Sequence, residues 1–379
     1  MTKLNIAVCG GGVGGMAVAI ALQGQGHDVQ VFEQSRQFGR VGADVNLTPN
    51  AVHALDRLGV GEALRASAAR PTHRISKMWD TAEETSRLPM STAAEERYGA
   101  PQLTIHRADL LAALEARLAP DTLQFGRRIA GVKPLDHGAE LHFADDKSAR
   151  FDLVIGADGI HSAVRLALFG PDDPKFTGLV SWRGVFRRER AGDIPDLDAF
   201  TKWWGPTPDR QIVTFPLSHG QEIFVFATNA QEGWTEEGWT LPGDIEELRA
   251  AYADFHPDAR ALLDACDSVT RSALHVREPM ERWSVGHATL LGDAAHPMVP
   301  FMAQGACMAI EDAVVLARAV KGRQAHELPA ALQAYERARI PRTAQVQRGS
   351  LANDWLKGEG NADWVYGYKA WEAEIAEPA

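Results

Sequence analysis

The sequence predicts an α/β protein: a Rossmann-like nucleotide-binding domain with an inserted antiparallel-sheet domain and C-terminal helices. Three observations lead there. An apolar run, Leu4 to Cys9, passes through Gly10-Gly11-Gly12-Val13-Gly14-Gly15 straight into the helix-forming Met16 to Leu22. Two more strand-to-turn signatures follow at wide intervals, Gly156-Ala157-Asp158-Gly159 and Leu291-Gly292-Asp293-Ala294-Ala295-His296-Pro297. Between them, residues 176–276 hold β-rich runs separated by turn residues, which read as an antiparallel sheet.

The first strand, turn and helix are followed by a second strand, Asp28 to Phe32, which ends at Glu33 and Gln34. This strand–turn–helix–strand context is what gives a GxGxxG match its weight. Gly10 permits the tight turn, Gly12 lets backbone approach a pyrophosphate as Val13 opens the helix, and Gly15 lets that helix lie close to the sheet. A diphosphate at the helix N-terminus meets unpaired amides and the positive end of the dipole. Glu33 lies about 20 residues downstream, where a carboxylate accepts the ribose hydroxyls of an adenosine. This motif by itself leaves NAD and FAD open.

The composition is that of a globular protein, with 379 residues, 45% apolar and 23% charged. A net charge of −11 argues against nucleic acid as a partner. The one basic cluster, Arg187-Arg188-Glu189-Arg190, is short, broken by an acid and read as a solvated face. Cys9, Cys266 and Cys307 are scattered without CxxC spacing, so neither a metal site nor a disulfide framework is expected, and a reducing, cytoplasmic setting fits. No secretory leader is expected before the first strand, and no apolar run approaches the ~20 residues that cross a bilayer.

The remaining elements follow in order. Arg40-Val41-Gly42-Ala43-Asp44 to Asn50 forms a loop before the helical Ala51 to Leu58. Thr104-Ile105-His106-Arg107 leads into a helix, and Asp152 to Arg165 is a strand, a turn and a helix start. Strands are expected at Phe200–Trp204, Gln211–Phe215 and Glu222–Ala227, with one or two more from 72–98, and a helix over 243–265. Ala288 to Ala294 reads as a buried strand ending in a carboxylate, Met302 to Ala313 as the start of a long helix and about 328–358 as a helical tail. The aromatic-rich Asp363 to Trp371 packs on the domain or sits at a subunit contact, and the protein is expected as a monomer or homodimer.

Together and in this order, the three signatures resemble the class A FAD-dependent aromatic hydroxylases, which share the para-hydroxybenzoate hydroxylase fold. The resemblance implies FAD held in a GR2-type Rossmann-like domain. It places Arg40 and Val41 beside the isoalloxazine, Arg107 on the FAD phosphates, and Asp158 and Gly159 on both FAD and a transiently bound NADH or NADPH. Asp293 would take the ribityl chain, and the segment Pro300, Gly305 and Ala306 would bring helix amides to the flavin pyrimidine. No second GxGxxG follows, as expected where no separate NAD(P)H domain exists. The implied boundaries are 1–70, 100–175 and 277–320 for the FAD-binding domain, 71–99 and 176–276 for the substrate domain, and 321–379 for a C-terminal helical segment.

The implied reaction uses NAD(P)H and O2 to hydroxylate an activated aromatic or pyridine carboxylic acid through a C4a-hydroperoxyflavin, with or without decarboxylation. The cofactor carries the hard step, and the protein orients the ring and excludes water. Within the family, Lys202-Trp203-Trp204, Met302 to Cys307 and Trp364 to Tyr368 resemble the 6-hydroxynicotinate 3-monooxygenases and, less closely, the salicylate hydroxylases. Where those nicotinate enzymes place a His, a Tyr and a second His, this chain has Gln211, Phe215 and Phe301. A more apolar pocket and a substrate other than 6-hydroxynicotinate follow. Catalytic candidates are thus Gln211, Phe215, Phe301 and His296, the last as a proton shuttle or a structural hydrogen bond. Arg183, Trp203 and Phe226 are candidates for holding the substrate, Arg183 as a carboxylate clamp or an interdomain ion pair. The rival readings are a flavin oxidase or dehydrogenase, and a secondary-metabolite hydroxylase or epoxidase on the same fold.

Overall fold

Strand Asn5–Cys9 is apolar from Ile6 onward and buried on both faces, the pattern of a central parallel strand. In the computed structural model, which describes residues 3–39, 44–234, 236, 238, 240–358 and 360–376, it pairs in parallel with Leu153–Gly156 on one side and Asp28–Phe32 on the other. Ala288–Leu290 adds in parallel beyond Leu153–Gly156, and short strands at Ser284–Val285 and Leu123–Gln124 close the two edges of this six-stranded sheet.

Two glycines permit the first crossover. Gly10 adopts φ +104°, and a Cβ there would lie 2.4 Å from the Ala157 carbonyl oxygen. A Cβ on Gly15 would lie 2.0 Å from the Gly10 carbonyl oxygen, so helix Val13–Gln23 starts against the turn that precedes it. Gly14 lets the same helix approach Leu291 and Ala309, and thus helix Gly305–Val320.

A second sheet has eight strands, in the order 241–243, 269–276, 175–187, 222–230, 211–217, 200–204, 73–78 and 84–89. Its pairs are antiparallel except 200–204 with 73–78, which run parallel. One face carries Trp182, Trp203, Ile212 and Val225 and is covered by helices Ile245–Ala251 and Pro257–Asp264. The opposite face carries Phe200, Phe215, Leu217, Phe224 and Phe226, which pack with Val299 and Phe301 from the other half of the molecule. A separate three-stranded sheet runs 148–151, 139–143, 129–134.

The expected helix over 243–265 is two helices. Pro257 occupies the first turn of the second, and His256 before it is extended at ψ 145°. Proline lacks an amide hydrogen and pushes its predecessor out of helical geometry, which breaks the run there. The strand expected over Ala288–Ala294 stops at Leu290, because Gly292 takes φ +62° and turns the chain. The tail forms one helix, Leu328–Ala352, ended by Asn353 in the left-handed conformation at φ +50°. The aromatic end packs on the body of the chain: Tyr366 is buried against Tyr98 and Trp355. Among the described residues, no helix is long and apolar enough to cross a membrane.

The Gly15 contact yields a test. Its obstruction is a backbone carbonyl, so no side-chain rotation relieves it. Gly15→Ala is expected to cost about 2–3 kcal/mol, read as a lowered thermal unfolding midpoint.

Candidate active site

Strands 5–9, 28–32, 153–156 and 288–290 run parallel, so their C-terminal ends share one edge of the sheet. That edge gathers the glycine turn, Glu33, Asp158 and Asp293, and open parallel sheets bind ligands there. Glu33 accepts hydrogen bonds from the Gly11 amide at 2.9 Å and the Ser35 amide at 2.8 Å, which holds its carboxylate beside the turn. Gln34 follows it, exposed. Nothing lies within 4 Å of a Cβ built on Gly12, so the space above the turn is open. Asp158 accepts from the Ala163 amide at 2.8 Å and from Ser162 Oγ at 2.5 Å, capping the helix that follows Gly159. Arg165 then donates to the carbonyls of Ala294 at 3.2 Å and Ala295 at 3.3 Å, tying the second turn to the third.

Asp293 lies deep in the molecule, yet its side chain is open to a cleft and has no hydrogen-bond partner among the described residues. Burial raises its pKa, and His296 and Arg107 partly oppose this. Helices Val13–Gln23 and Gly305–Val320 both begin without a side-chain cap, leaving the amides of Val13, Gly305 and Ala306 available. Pro300 is exposed beside them. An open glycine turn, a ribose-type carboxylate, two uncapped helix starts and an unpartnered Asp293 fit a flavin dinucleotide. Arg40 and Val41 lie outside the described residues.

Helix Gly305–Val320 is pinned by a buried charge network. Glu311 and Asp312, side by side, are fully buried rather than exposed on a turn. Arg339 Nη1 donates to Glu311 at 2.8 Å and its Nε to Asp312 at 2.7 Å, and Arg342 Nε donates to Glu311 at 2.7 Å. Burial raises both carboxyl pKa values, but the cations outweigh it and hold both below the usual range. Asp312 also accepts from the Gly292 amide at 3.1 Å and from His296 Nε2 at 2.6 Å. His296 is therefore fixed against Asp312, and its Nδ1 has no partner among the described residues. Glu311 reaches Asn50 at 2.7 Å, and Asn50 and Thr48 bind the Gln304 amide just before the helix.

The aromatic face of the large sheet opposes this edge. Strand register lays its side chains in rows: Phe200, Phe215 and Phe224 in one, Lys202, Val213, Phe226 and Arg183 in the next, Trp204, Gln211 and Thr228 in a third. Phe215 stacks on Phe200 at 5.3 Å and meets Phe224 at 4.9 Å. The side-chain oxygen and nitrogen of Gln211 are buried without a hydrogen-bond partner. Arg183 donates to Ser272 Oγ at 2.6 Å and lies 5.6 Å from the Phe226 ring. It also faces Asp44, whose carboxyl burial raises to about 7 against the opposing effect of Arg183.

Gln211, Phe215, Phe226, Arg183 and Phe301 thus share one face. Trp203, expected with them, does not: it sits opposite Ile212 on the other face, stacked 6.0 Å from His256. Successive strand residues alternate sides, and the phase here turns Trp204 toward the site instead. Sequence reasoning passed over Lys202, Arg74 and Asp44. The pairing of Gln211 with Trp204 carries the signal for Lys202, since it fixes which residues of 200–204 share the Gln211 face. An open cleft of about 830 Å³ bounded by Gln25, Arg57, Arg318 and Trp371 shares no residue with this site.

Comparison with known proteins agrees with this geometry. The family described as FAD binding domain matches residues 3–350. The chain is 38% identical over 377 residues to the 6-hydroxynicotinate 3-monooxygenase of Pseudomonas fluorescens, covering 99% of this chain and 97% of that protein. A salicylate hydroxylase substrate complex superposes with a TM-score of 0.83 at 27% identity, over 97% of this chain and 96% of the other. Klebsiella pneumoniae HpxO complexed with FAD superposes with a TM-score of 0.82 at 27% identity, covering 96% and 92%.

Two outcomes follow from these contacts. Arg339→Met leaves two buried carboxylates short of a counter-charge and is expected to cost about 3–5 kcal/mol in thermal or urea unfolding. The Asp44 carboxyl, near 4 when unfolded and about 7 when folded, makes the native state bind the extra proton. Stability from this group therefore falls as pH rises from about 4 to 7. In cofactor-free protein, Asp44→Asn should gain roughly 1–2 kcal/mol at pH 7.5, with the open cleft allowed for, and little at pH 4.5. An equal gain at both pH values would count against a raised carboxyl.

Proposed function

This chain belongs to the family of FAD-dependent aromatic monooxygenases, and we propose that its substrate is a small aromatic or pyridine carboxylic acid carrying a ring hydroxyl or amino group. The observation that carries the reading is the aromatic face of the large sheet, set with the buried, unpartnered Gln211 amide opposite the flavin edge. FAD, reduced by NADH or NADPH, would supply activated oxygen at that edge. The glycine turn, Glu33 and Arg107 would hold the dinucleotide, Asp293 the ribityl chain, and the Gly305 and Ala306 amides the pyrimidine end.

The protein's own part is positional. Phe215, Phe224, Phe226 and Phe301 form flat apolar walls that order a ring and keep water away. A buried amide without a partner is costly, about 1–3 kcal/mol, and a ring hydroxyl or amino group supplies the missing hydrogen bond. Gln211 and Phe215 offer no group that titrates near neutral pH, so activation of a hydroxypyridine by a side-chain base has no support at these positions. This favours a substrate whose ring is already electron-rich over 6-hydroxynicotinate.

The test is NAD(P)H oxidation by the FAD-loaded protein across hydroxylated and aminated benzoates and pyridinecarboxylates, with product masses read in parallel. A compound that accelerates oxidation and gains one oxygen supports the proposal, and loss of carbon dioxide with gain of a hydroxyl adds decarboxylation. Turnover without NAD(P)H and without oxygen gain would place the protein among oxidases instead.

A further inference from the structure

Two cations lie buried on the aromatic face of the large sheet with no acid to neutralise them. Lys202 is 2% exposed and Arg74 4% exposed. The Lys202 ammonium sits 3.6 Å from the centre of the Trp204 ring and 5.7 Å from that of Phe301. Its hydrogen-bond partner is a neutral one, the Asn353 side-chain oxygen at 2.7 Å. An ammonium carries three donors, so the contact with Asn353 leaves two to satisfy. The Arg74 guanidinium lies between the rings of Phe200 and Trp355, 4.7 and 4.8 Å from their centres, and donates to the Tyr366 hydroxyl at 3.4 Å. Among the described residues neither cation has a carboxylate within ion-pair distance. Asp354, the acid that acts on Lys202 through space, is exposed.

A buried charge without a counter-charge is expensive, and natural chains rarely keep one without a partner. Burial, reinforced by Arg74 and Lys357, drives the Lys202 pKa well below its ordinary value. Arg183, the other cation of this face, differs: it faces Asp44 and donates to Ser272. Lys202 and Arg183 end the same row, three strands apart, which at ~4.8 Å per strand is about 14 Å between their backbones. Val213 and Phe226 lie between them.

We propose that Lys202, backed by Arg74, is the carboxylate-binding subsite of the substrate pocket, with Phe301 and Trp204 as its walls. The inference rests on the aromatic-acid reading above. It orients the ring: the carboxylate points toward strand 200–204 and the Asn353 end of the long helix, away from Arg183. A carboxylate there completes an ion pair that the folded chain leaves open.

The test is binding of benzoate and benzamide to the FAD-loaded protein, followed by perturbation of the flavin absorbance spectrum. Benzoate is expected to bind at least about tenfold more tightly than benzamide. Lys202→Met, checked for retained FAD and a normal melting profile, should bring the ratio close to one, and Lys202→Arg should keep most of it. Equal affinities in the unaltered protein overturn the proposal whatever the variants do. So does a benzoate preference that survives Lys202→Met but is lost in Arg183→Met. A benzoate preference with no hydroxylated product in the turnover screen leaves the subsite standing and removes the hydroxylase substrate reading. Hydroxylation with equal benzoate and benzamide affinities does the reverse.

Discussion

Arg339 holds two neighbouring carboxylates, Glu311 and Asp312, where water does not reach, and the candidate site is assembled around that contact. Asp312 fixes the Gly292 amide and His296, and so the turn that carries Asp293. Glu311 fixes Asn50, and through Gln304 the start of the helix whose amides face the cleft. Arg342 extends the same cluster to the carbonyls of Trp364 and Val365. A buried ion network is a poor source of net stability, because desolvation cancels most of the attraction. Its use here is geometric: each charge has one arrangement of partners, so segments far apart in the chain have one relative position.

The large sheet divides its labour between two faces. Trp182, Trp203 and Ile212 bind it to its covering helices, a packing task that any close-fitting apolar set performs. The opposite face mixes phenylalanines with Lys202, Gln211 and Arg183, polar groups whose partners are few or missing. A core built for stability alone would not retain them. Buried polar groups left unpaired inside an aromatic surface are how a protein reserves space for a ligand that brings the complementary atoms.

What could be read from the chain was what is encoded locally. The glycine turn, Glu33, Asp158 and Asp293 are recognisable because a turn and its adjoining strand and helix lie within a few residues. Pro257 was equally local, and its break in the run 243–265 was there to be read. Trp203 and Trp204 show a different limit. Either can face the site, and only the strand pairing, set by residues 211–228, selects one. Arg339 lies 27 residues from Asp312 on a separate helix, so nothing short of the helix packing brings the two together. Lys202 looks, in sequence, like an ordinary surface lysine, because burial is a property of the whole fold.

The strand order also sets a timetable. Strand 153–156 waits for 288–290, which the ribosome delivers more than a hundred residues later, and strand 73–78 waits for 200–204. Until the last third of the chain emerges, each sheet presents an open edge, the kind of surface on which nascent chains mispair. Pairings of such long sequence separation also form slowly. The cofactor site is consequently among the last parts of the molecule to exist, and a nascent chain has no place for its nucleotide until synthesis is nearly over.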